Sequence, residues 1–333
     1  MKILYVVHEF FPRYYGGTER YVLNLAHQMQ QMGHQPEVLA YAFAAPDEEL
    51  SESLAGLPAR RYVFEGVPVI AVRHRETPPD LDLRIADPHI VEAADALLQR
   101  ASYDVVHVAH AMRLGACHHA AKRRGVPLVL TLTDFWLPCP RGRFHKLDLS
   151  PCGSPDRGDK CIRECRFPPA ARARYKHAKE LFDAADAVIA PSALAIEVFR
   201  RQGWQRTINR INHGVDYSLV AAGAAPRRRD GKVRFGYTGV VTPFKGVDLL
   251  IKTFMSLEAP NLVLAIYGNI LWGNGFRSDL DHWFAADPRI RLMNRYEHEE
   301  LPEVMAGNDA ESGLLRLADL ALAERRGAES ALS

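Results

Sequence analysis

Apolar and polar positions follow two alternating patterns through the first two thirds of the chain. Short, nearly continuous apolar runs are typical of strands buried on both faces of a parallel sheet. Such runs occupy residues 3–8, 37–41, 67–72, 105–109, 128–133 and 187–190. Segments with apolar residues three or four positions apart predict helices at 18–32, 90–101, 114–124, 172–184 and 193–202, the last capped by Ser192. This alternation predicts an α/β fold with a doubly wound, Rossmann-like sheet.

The same alternation starts again after a candidate linker. Residues 217–232 combine Ala, Gly and Pro with three consecutive arginines. Beyond them, strands are predicted at 233–237, 262–267 and 290–293, and helices at 247–257, 276–286 and 301–306. Three strands are about half of a six-stranded dinucleotide-type sheet. The sequence therefore predicts two Rossmann-like doubly wound domains, residues 1–216 and 217–310, of which the second is incomplete.

The composition changes near the end of the chain. Residues 308–333 contain no Val, Ile, Thr or aromatic residue, so a fourth parallel strand is not expected there. An amphipathic helical tail is one interpretation. The other, which we favour, is that the domain or its reading frame is interrupted near Ala310. Either way, residues 311–333 form an atypical tail, and the strand at 290–293 is expected to lie at a partly uncovered sheet edge.

Composition and charge argue against a nucleic-acid-binding, membrane-spanning or secreted protein. The chain has 333 residues, 47% of them hydrophobic, and a formal net charge of +2, which is too mild to indicate a nucleic-acid partner. It has no run of about eighteen apolar residues and no signal-like N-terminus, so a cytoplasmic protein is expected. A basic helix at 172–182 offers one alternative, contact with the inner face of a membrane. A solvated helix face is the other interpretation.

Two glycine-containing loops follow predicted strands. Gly16 and Gly17 stand after the first strand and before a helix, where a phosphate can approach backbone N–H groups. A plain turn is the alternative. The segment 236–246 (GYTGVVTPFKG) also joins a strand to a helix, and it places Lys245 at the helix start. A cation there opposes the helix dipole, so a partner anion explains it best.

These loops, with several further motifs, resemble glycosyltransferase family 4, the group 1 transferases. The resembling stretches are Glu9–Pro12 and Gly16–Glu19, Asp104–His107, 129–142, 190–192, 212–216, 236–246 and 267–268. The resemblance implies a two-domain GT-B fold. It also implies retaining transfer of a sugar from a nucleotide-diphosphate donor to a glycan or lipid-linked acceptor, without a required metal, as in the synthesis of cell-envelope polysaccharides.

The resemblance also assigns roles to individual residues. Gly16, Gly17, Gly239, Lys245 and Gly268 match positions that bind the donor. The family's active-site histidine is expected two residues after His107, where this chain has Ala109; His110 is then the candidate, or it is a surface histidine. Nothing after Ala310 matches the family's paired glutamates. The alternative function is therefore an inactive, truncated transferase or pseudo-enzyme that binds only an acceptor or partner.

Four of the five cysteines lie close together in a Gly- and Pro-rich segment, 138–169, that is predicted to be a long loop. They are Cys139, Cys152, Cys161 and Cys165. In a reducing compartment, such a cluster indicates metal binding or free thiols rather than disulfides. Four thiolates are the ligand number of a structural zinc site. Zinc and free thiols therefore both remain open.

Overall fold

The computed structural model describes residues 1–14, 16–43, 50, 52–214, 230–271, 273–293, 295–296 and 300–311. The chain divides into two compact units, Met1–Val215 and Asp216–Ser333. Most of the predicted linker, 217–232, and nearly all of the predicted tail, 311–333, lie outside the described residues.

The first unit is built on one mixed sheet, whose strands run in the order β3-β4-β5-β2-β1-β6-β7-β8-β9. Their bounds are β1 (Lys2–Val7), β2 (Gln35–Tyr41), β3 (Glu52–Leu54), β4 (Leu57–Phe64), β5 (Val67–Val72), β6 (Val105–Val108), β7 (Leu128–Thr131), β8 (Ala187–Ala190) and β9 (Asn209–Arg210). All neighbouring pairs from β5 to β9 are parallel, whereas β3 and β4 pair antiparallel. In register, Leu4 of β1 lies between Glu37 of β2 and Val106 of β6.

Helices cover both faces of this sheet. They are α1 (Gly17–Gln31), α2 (Pro88–Arg100), α3 (Cys117–Arg124), α4 (Asp159–Cys165), α5 (Ala170–Ala184) and α6 (Ala193–Arg201). Alternate residues of β1 enter different cores because side chains alternate along a strand. Leu4 and Val6 pack in the cluster that includes α2, α3, α5 and α6, and Tyr5 packs in the cluster that includes α1. The Ser192 hydroxyl accepts the Ala195 N–H at 3.1 Å, which confirms the predicted cap.

The antiparallel hairpins β3–β4 and β4–β5 were not predicted. Both turns use two residues with positive φ, Ala55 and Gly56 in the first, Glu65 and Gly66 in the second. Positive φ at both central residues is the mark of a type I′ turn, which usually carries Asn-Gly or Asp-Gly. Ala-Gly and Glu-Gly give a weaker signal in the sequence, so the strand Leu57–Phe64 was missed.

Two further predictions are corrected between residues 138 and 184. The segment 138–169 is not entirely a loop, because it contains α4 and a 3₁₀ turn at Asp156–Gly158. The basic helix, observed as α5, does not present all of its cations to solvent. Arg174 is buried and donates hydrogen bonds to the carbonyls of Trp136 and Leu137. The other three cations pair with carboxylates: Arg172 with Asp159, Lys176 with Glu180 and Lys179 with Asp183. Contact with a membrane surface stays a prediction, because the side chains of Arg172 and Lys176 remain largely exposed beside their partners.

The described part of the second unit has a parallel sheet in the order β12-β11-β10-β13. Its elements are β10 (Val233–Thr238), α7 (Val247–Met255), β11 (Leu262–Tyr267), α8 (Asn274–Ala286), β12 (Ile290–Leu292), α9 (Leu301–Ala306) and β13 (Ala310–Glu311). Tyr237, Ile251 and Leu280 are among its fully buried core residues. The prediction of three strands was wrong, because Ala310–Glu311 adds a short fourth strand beside β10. As predicted, β12 lies at a sheet edge.

Within the described residues, no helix is long and apolar enough to cross a membrane.

Candidate functional site

The order of strands in the first unit locates a candidate site. From β1 the chain proceeds to β2 and then β5 on one side, and it returns to place β6 on the other side of β1. Such a reversal is a topological switch point, and open α/β sheets bind ligands in the crevice at the carboxyl ends of the strands there. His8 follows β1, and His110 comes soon after β6. The fold therefore brings these two histidines together.

His8 and His110 are in contact at this edge, with ring centroids 4.1 Å apart and ring planes tilted by 38°. The His110 Nε2 atom is 3.4 Å from the Asp134 Oδ2 atom, and the Trp136 ring lies beside His110 at 5.5 Å. Burial, followed by the neighbouring His110 and Arg113, lowers the pKa of His8 to about 2. His8 is therefore neutral at pH 7, and its Nδ1 atom is buried without a hydrogen-bond partner.

Glu19 occupies part of the glycine loop. Its Oε2 atom accepts the Gly16 N–H at 2.7 Å, and its Oε1 atom is 3.5 Å from His8 Nε2. Burial raises the pKa of Glu19 above its ordinary value. A Cβ on Gly16 would lie 2.5 Å from the Glu19 carboxylate, whereas a Cβ on Gly17 would meet open space. The Gly16 N–H is thus already hydrogen-bonded to Glu19, whereas the space beside Gly17 is open to a ligand.

A buried arginine supports the loop that follows β1. Arg113 donates to Glu9 Oε1 at 2.7 Å and to the His8 carbonyl at 3.3 Å. It also donates to Asp82 at 2.8 Å, and its guanidinium lies 4.3 Å from the centre of the Phe43 ring. Two carboxylates more than neutralise the single positive charge of this 5% exposed side chain, so Arg113 fixes the position of the loop rather than binding a free anion.

A second set of hydrogen-bonded polar side chains lies at the same edge of the sheet. The His107 Nε2 atom is 2.7 Å from the Thr131 hydroxyl, which is 3.5 Å from the Tyr21 hydroxyl. The Tyr21 ring stacks on His213 with centroids 4.1 Å apart. Burial lowers the pKa of His107 to about 4 and also lowers that of His213. Both rings are therefore neutral hydrogen-bonding groups at pH 7.

In the second unit, two glycines make a backbone crossing at the carboxyl ends of β10 and β11. Gly239 and Gly268 have φ values of 142° and 141°, which favour glycine. A Cβ on Gly268 would lie 1.9 Å from the Gly239 carbonyl oxygen. The Gly239 N–H donates to the Tyr267 carbonyl at 3.0 Å. The two loops that the resemblance assigns to the donor therefore contact each other directly.

Lys245 lies at the end of a 3₁₀ turn, Pro243–Lys245, and Gly246 (φ 67°) joins this turn to α7. Lys245 is exposed, and it forms no ion pair with any carboxylate in the described part of the chain. Surrounding protein atoms still desolvate its ammonium enough to lower its pKa. A cation with no protein counter-charge at this edge suits an anionic ligand.

The four clustered cysteines are all free thiols. Cys139 and Cys161 are buried, whereas Cys152 and Cys165 are half-buried. Burial, followed by the nearby thiols, raises the pKa of Cys161 to about 12. Among the described residues, the only group of three or more His, Cys, Asp or Glu side chains with ligand atoms within 4.8 Å of one another is His74, Asp87 and His89. That group is held by Arg84, which donates to Asp87 at 3.2 Å and opposes a second cation there.

Sequence reasoning gave no role to five residues of the first-unit site: His8, Glu19, Arg113, Asp134 and His213. A signal was present for four of them. Glu19, Asp134 and His213 lie within the stretches that resemble family 4, and His8 directly follows a buried strand. Only Arg113 stands outside every motif, and the folded sheet alone brings it to the edge.

Comparisons with known proteins agree with this architecture. The family model described as Glycosyltransferase Family 4 matches residues 15–219, more than half of the chain. No curated protein sequence gives a match. Several solved structures are similar in fold, each at low sequence identity.

Anabaena HepE, solved with UDP and glucose, is 18% identical with a TM-score of 0.61; the likeness covers 93% of this chain and 73% of HepE. The catalytic domain of Arabidopsis thaliana starch synthase IV, bound to ADP and acarbose, is 12% identical with a TM-score of 0.59, covering 93% of this chain and 77% of that one. The lipopolysaccharide outer core galactosyltransferase WaaB is 15% identical with a TM-score of 0.54, covering 89% and 69%. The chain therefore belongs to glycosyltransferase family 4 and has the GT-B fold of two Rossmann-like domains.

Proposed function

We propose that this protein is a retaining glycosyltransferase that moves a sugar from a nucleotide-diphosphate donor to a glycan or lipid-linked acceptor. The observation that carries the proposal is the polar group at the switch point of a family 4 domain. There, His8, Glu19 and His110 lie together, and His8 and Glu19 each have a buried polar atom without a hydrogen-bond partner. Such atoms are costly unless a ligand bonds them.

The donor diphosphate is proposed to bind at the glycine loops. Lys245 supplies the positive charge, and Gly239 and Gly268 let the backbone approach the nucleotide. Gly17, with open space beside it, offers a backbone N–H at the start of α1, next to Gly16. The nucleotides bound to HepE and starch synthase IV, UDP and ADP, support a nucleoside-diphosphate donor.

In the proposed reaction, the bond between the anomeric carbon and the diphosphate breaks, and a bond to an acceptor hydroxyl oxygen forms on the same face of the sugar. The proton of the acceptor hydroxyl passes to an oxygen of the departing diphosphate. Negative charge develops on the leaving diphosphate, and a fixed cation and backbone N–H groups stabilise charge that develops in a transition state. In the second unit, Lys245 is proposed to serve that purpose. In the first unit, Gly17 offers a backbone N–H, and His110 offers hydrogen bonds that orient the sugar or acceptor.

No metal ion is proposed to take part in transfer, because Lys245 supplies the charge that a divalent cation would otherwise provide. Adding Mg²⁺ or Mn²⁺ to the assay is therefore expected to leave the rate unchanged. The name of WaaB, a lipopolysaccharide galactosyltransferase, supports an acceptor of the cell envelope.

Isothermal titration with UDP and with GDP tests the donor site. We expect one of them to bind, and Lys245→Ala to weaken that binding about tenfold or more, since hydrogen bonds to charged groups contribute roughly 1.5–3 kcal/mol. Lys232→Ala, which removes an exposed lysine just before β10, is the matched control and should bind normally. If neither nucleotide binds and Lys245→Ala changes nothing, the donor-site proposal is wrong.

A screen of nucleotide sugars against glycan and lipid-linked acceptors tests transfer itself, with the anomeric configuration of the product read by NMR. Inversion would refute the retaining mechanism. Nucleotide binding without any turnover would instead support the alternative function, a protein that binds ligands without transferring sugar.

A further inference from the structure

Positive charge is concentrated in one part of the first unit. Residues 141–176 contain ten Lys or Arg and four Asp or Glu, which gives this segment a net charge of +6. The whole chain has a net charge of +2, so all the other residues together carry −4. The segment runs from the loop after β7 through α4 into α5. Such a separation of charge favours contact with an anionic partner.

Six of these cations are exposed, and we call the surface they form the basic face. They are Arg143, Arg157, Arg163, Arg166, Arg172 and Lys176. Three of them pair with a carboxylate and are still largely exposed, namely Arg163, Arg172 and Lys176. Exposed ion pairs are weak, so these cations can exchange their carboxylates for another anion.

Ionic contacts hold the parts of the basic face together. Lys146, in the loop after β7, has its Nζ atom 2.9 Å from Glu164 Oε2 on α4. Arg172 of α5 pairs with Asp159 of α4. The loop and the first turn of α5 are thus both fixed to the same short helix, and the basic face is one surface.

A hairpin belongs to this surface. His145 and Pro151 form an antiparallel bridge, and the Lys146 N–H donates to the Ser150 carbonyl at 2.9 Å. At its base, the Phe144 ring packs against Phe135 with centroids 5.4 Å apart. The hairpin 144–152 is therefore closed by its own hydrogen bonds and fixed to the first unit.

The tip of this hairpin exposes two leucines. Leu147 is 47% exposed and Leu149 is 36% exposed, on either side of Asp148. The Asp148 carboxylate accepts the N–H and the hydroxyl of Ser150 at 2.9 and 2.6 Å, which turns it back onto the hairpin. Exposed apolar residues that stand singly are ordinary. Two of them on one fixed turn beside a basic face are typical of a segment that lies in a membrane interface.

We propose that the hairpin tip and the basic face dock the protein on an anionic lipid surface. The two leucines enter the boundary between head groups and acyl chains, and the cations contact the anionic head groups. This inference rests on the proposed function, in which a lipid-linked acceptor is one of the substrates. A soluble polyanion would contact the cations but leave the leucines in water, so lipid is the partner that uses both features. Two leucines and six cations give reversible binding, far weaker than that of a spanning helix.

Co-sedimentation of the full-length protein with lipid vesicles tests the proposal. One set of vesicles contains phosphatidylcholine alone, and the other contains phosphatidylcholine and phosphatidylglycerol in equal parts. We expect binding to the mixed vesicles and little binding to the neutral ones. Raising the salt concentration should weaken binding, because salt screens the attraction between exposed charges.

Two double variants separate the apolar and the ionic contributions. Leu147→Ser with Leu149→Ser should weaken binding to the mixed vesicles about tenfold or more, since two partly buried leucines are lost. Met32→Ser removes an exposed apolar side chain from the end of α1 and should bind normally. Arg163→Gln with Lys176→Gln should also weaken binding, whereas Arg123→Gln, at an exposed position on α3, should not.

Three results would overturn the proposal. The first is wild-type protein that binds neutral and anionic vesicles equally, or neither. The second is a folded double leucine variant that binds the mixed vesicles as tightly as the wild type. The third is binding to soluble polyphosphate as tight as binding to the vesicles.

A transfer assay with a water-soluble glycan acceptor keeps this test apart from that of the proposed function. The double leucine variant should retain transfer to that acceptor. Transfer without vesicle binding would refute the docking surface and leave the proposed function standing. Vesicle binding that follows the variants as expected, without nucleotide binding or transfer, would refute the proposed function and support the docking surface.

Discussion

At the scale of single residues, His110 is the group whose removal should affect transfer most directly. It lies between His8, Asp134 and Trp136 at the switch point. We expect His110→Ala to lower kcat/KM by about 10- to 100-fold, the range expected for the loss of one or two hydrogen bonds to a reacting ligand. His119→Ala, at an exposed position on α3, is the control. Equal activity in both variants would remove His110 from the site.

His107 predicts how stability depends on pH. Its pKa is lowered to about 4 by burial, against 6.5 for an unperturbed histidine. As the pH is lowered from 6.5 to 4, His107 takes up a proton in the unfolded chain but not in the folded one. The free energy of unfolding therefore decreases as the pH decreases through this window. The total loss from His107 is on the order of 3 kcal/mol.

Urea unfolding at pH 7 and pH 5 measures this effect. We expect the wild type to lose stability between the two values, and His107→Gln, which cannot take up the proton, to lose about 2 kcal/mol less. An identical loss in both proteins would show that His107 is not the residue responsible.

At the scale of elements, the loops after β10 and β11 depend on the contact between Gly239 and Gly268. Gly268→Ala would place a methyl group against the Gly239 carbonyl, in a backbone conformation that alanine rarely adopts. We expect the second unit to lose roughly 3 kcal/mol of stability and nucleotide binding to fail. Gly275→Ala, with open space in α8, should leave stability unchanged or raise it slightly. Hydrogen exchange in β10 and β11 reports both outcomes, and equal exchange in the two variants would contradict the steric argument.

The strands and helices also show which parts of the fold could be predicted from the sequence. Apolar runs in buried parallel strands are strong signals, and the strands at 187–190 and 262–267 were predicted with their observed bounds. The hairpin strand β4 was missed because its turns lack the usual Asn-Gly or Asp-Gly, and α4 because it is only seven residues long. The short strand Ala310–Glu311 has no β-branched residue, and only pairing with β10 makes it a strand.

The candidate site was predictable only where its residues follow a strand in the sequence or lie in a stretch that resembles family 4. Gly16, Gly17 and Lys245 were chosen in the first way, whereas Gly239, Gly268 and His110 were chosen from the resemblance to family 4. Arg113 could not, because its partners Glu9 and Asp82 are far away along the chain and only the folded sheet brings them close.

At the scale of the whole molecule, the two units should differ in local stability. Both sheets end in edge strands of three and two residues. In the nine-stranded sheet of the first unit, β1, β6 and β7 lie well inside those edges, whereas the described sheet of the second unit has four strands and β12 is itself an edge. Short edge strands open more readily than central ones. We expect backbone amides of β10, β11 and β12 to exchange faster than those of β1, β6 and β7. Uniform protection of both units would contradict this.

The crossing of Gly239 and Gly268 also bears on the engineering of sugar preference. A Cβ on Gly268 would overlap the Gly239 carbonyl oxygen, and both glycines have φ values that other residues rarely adopt. Variation at these two positions is therefore expected to yield misfolded protein rather than altered selectivity. Productive diversity has to be introduced at flanking positions such as Val240, whose side chain is 40% exposed. A mutant library that holds the two glycines constant and randomises their neighbours would therefore contain a larger share of folded variants.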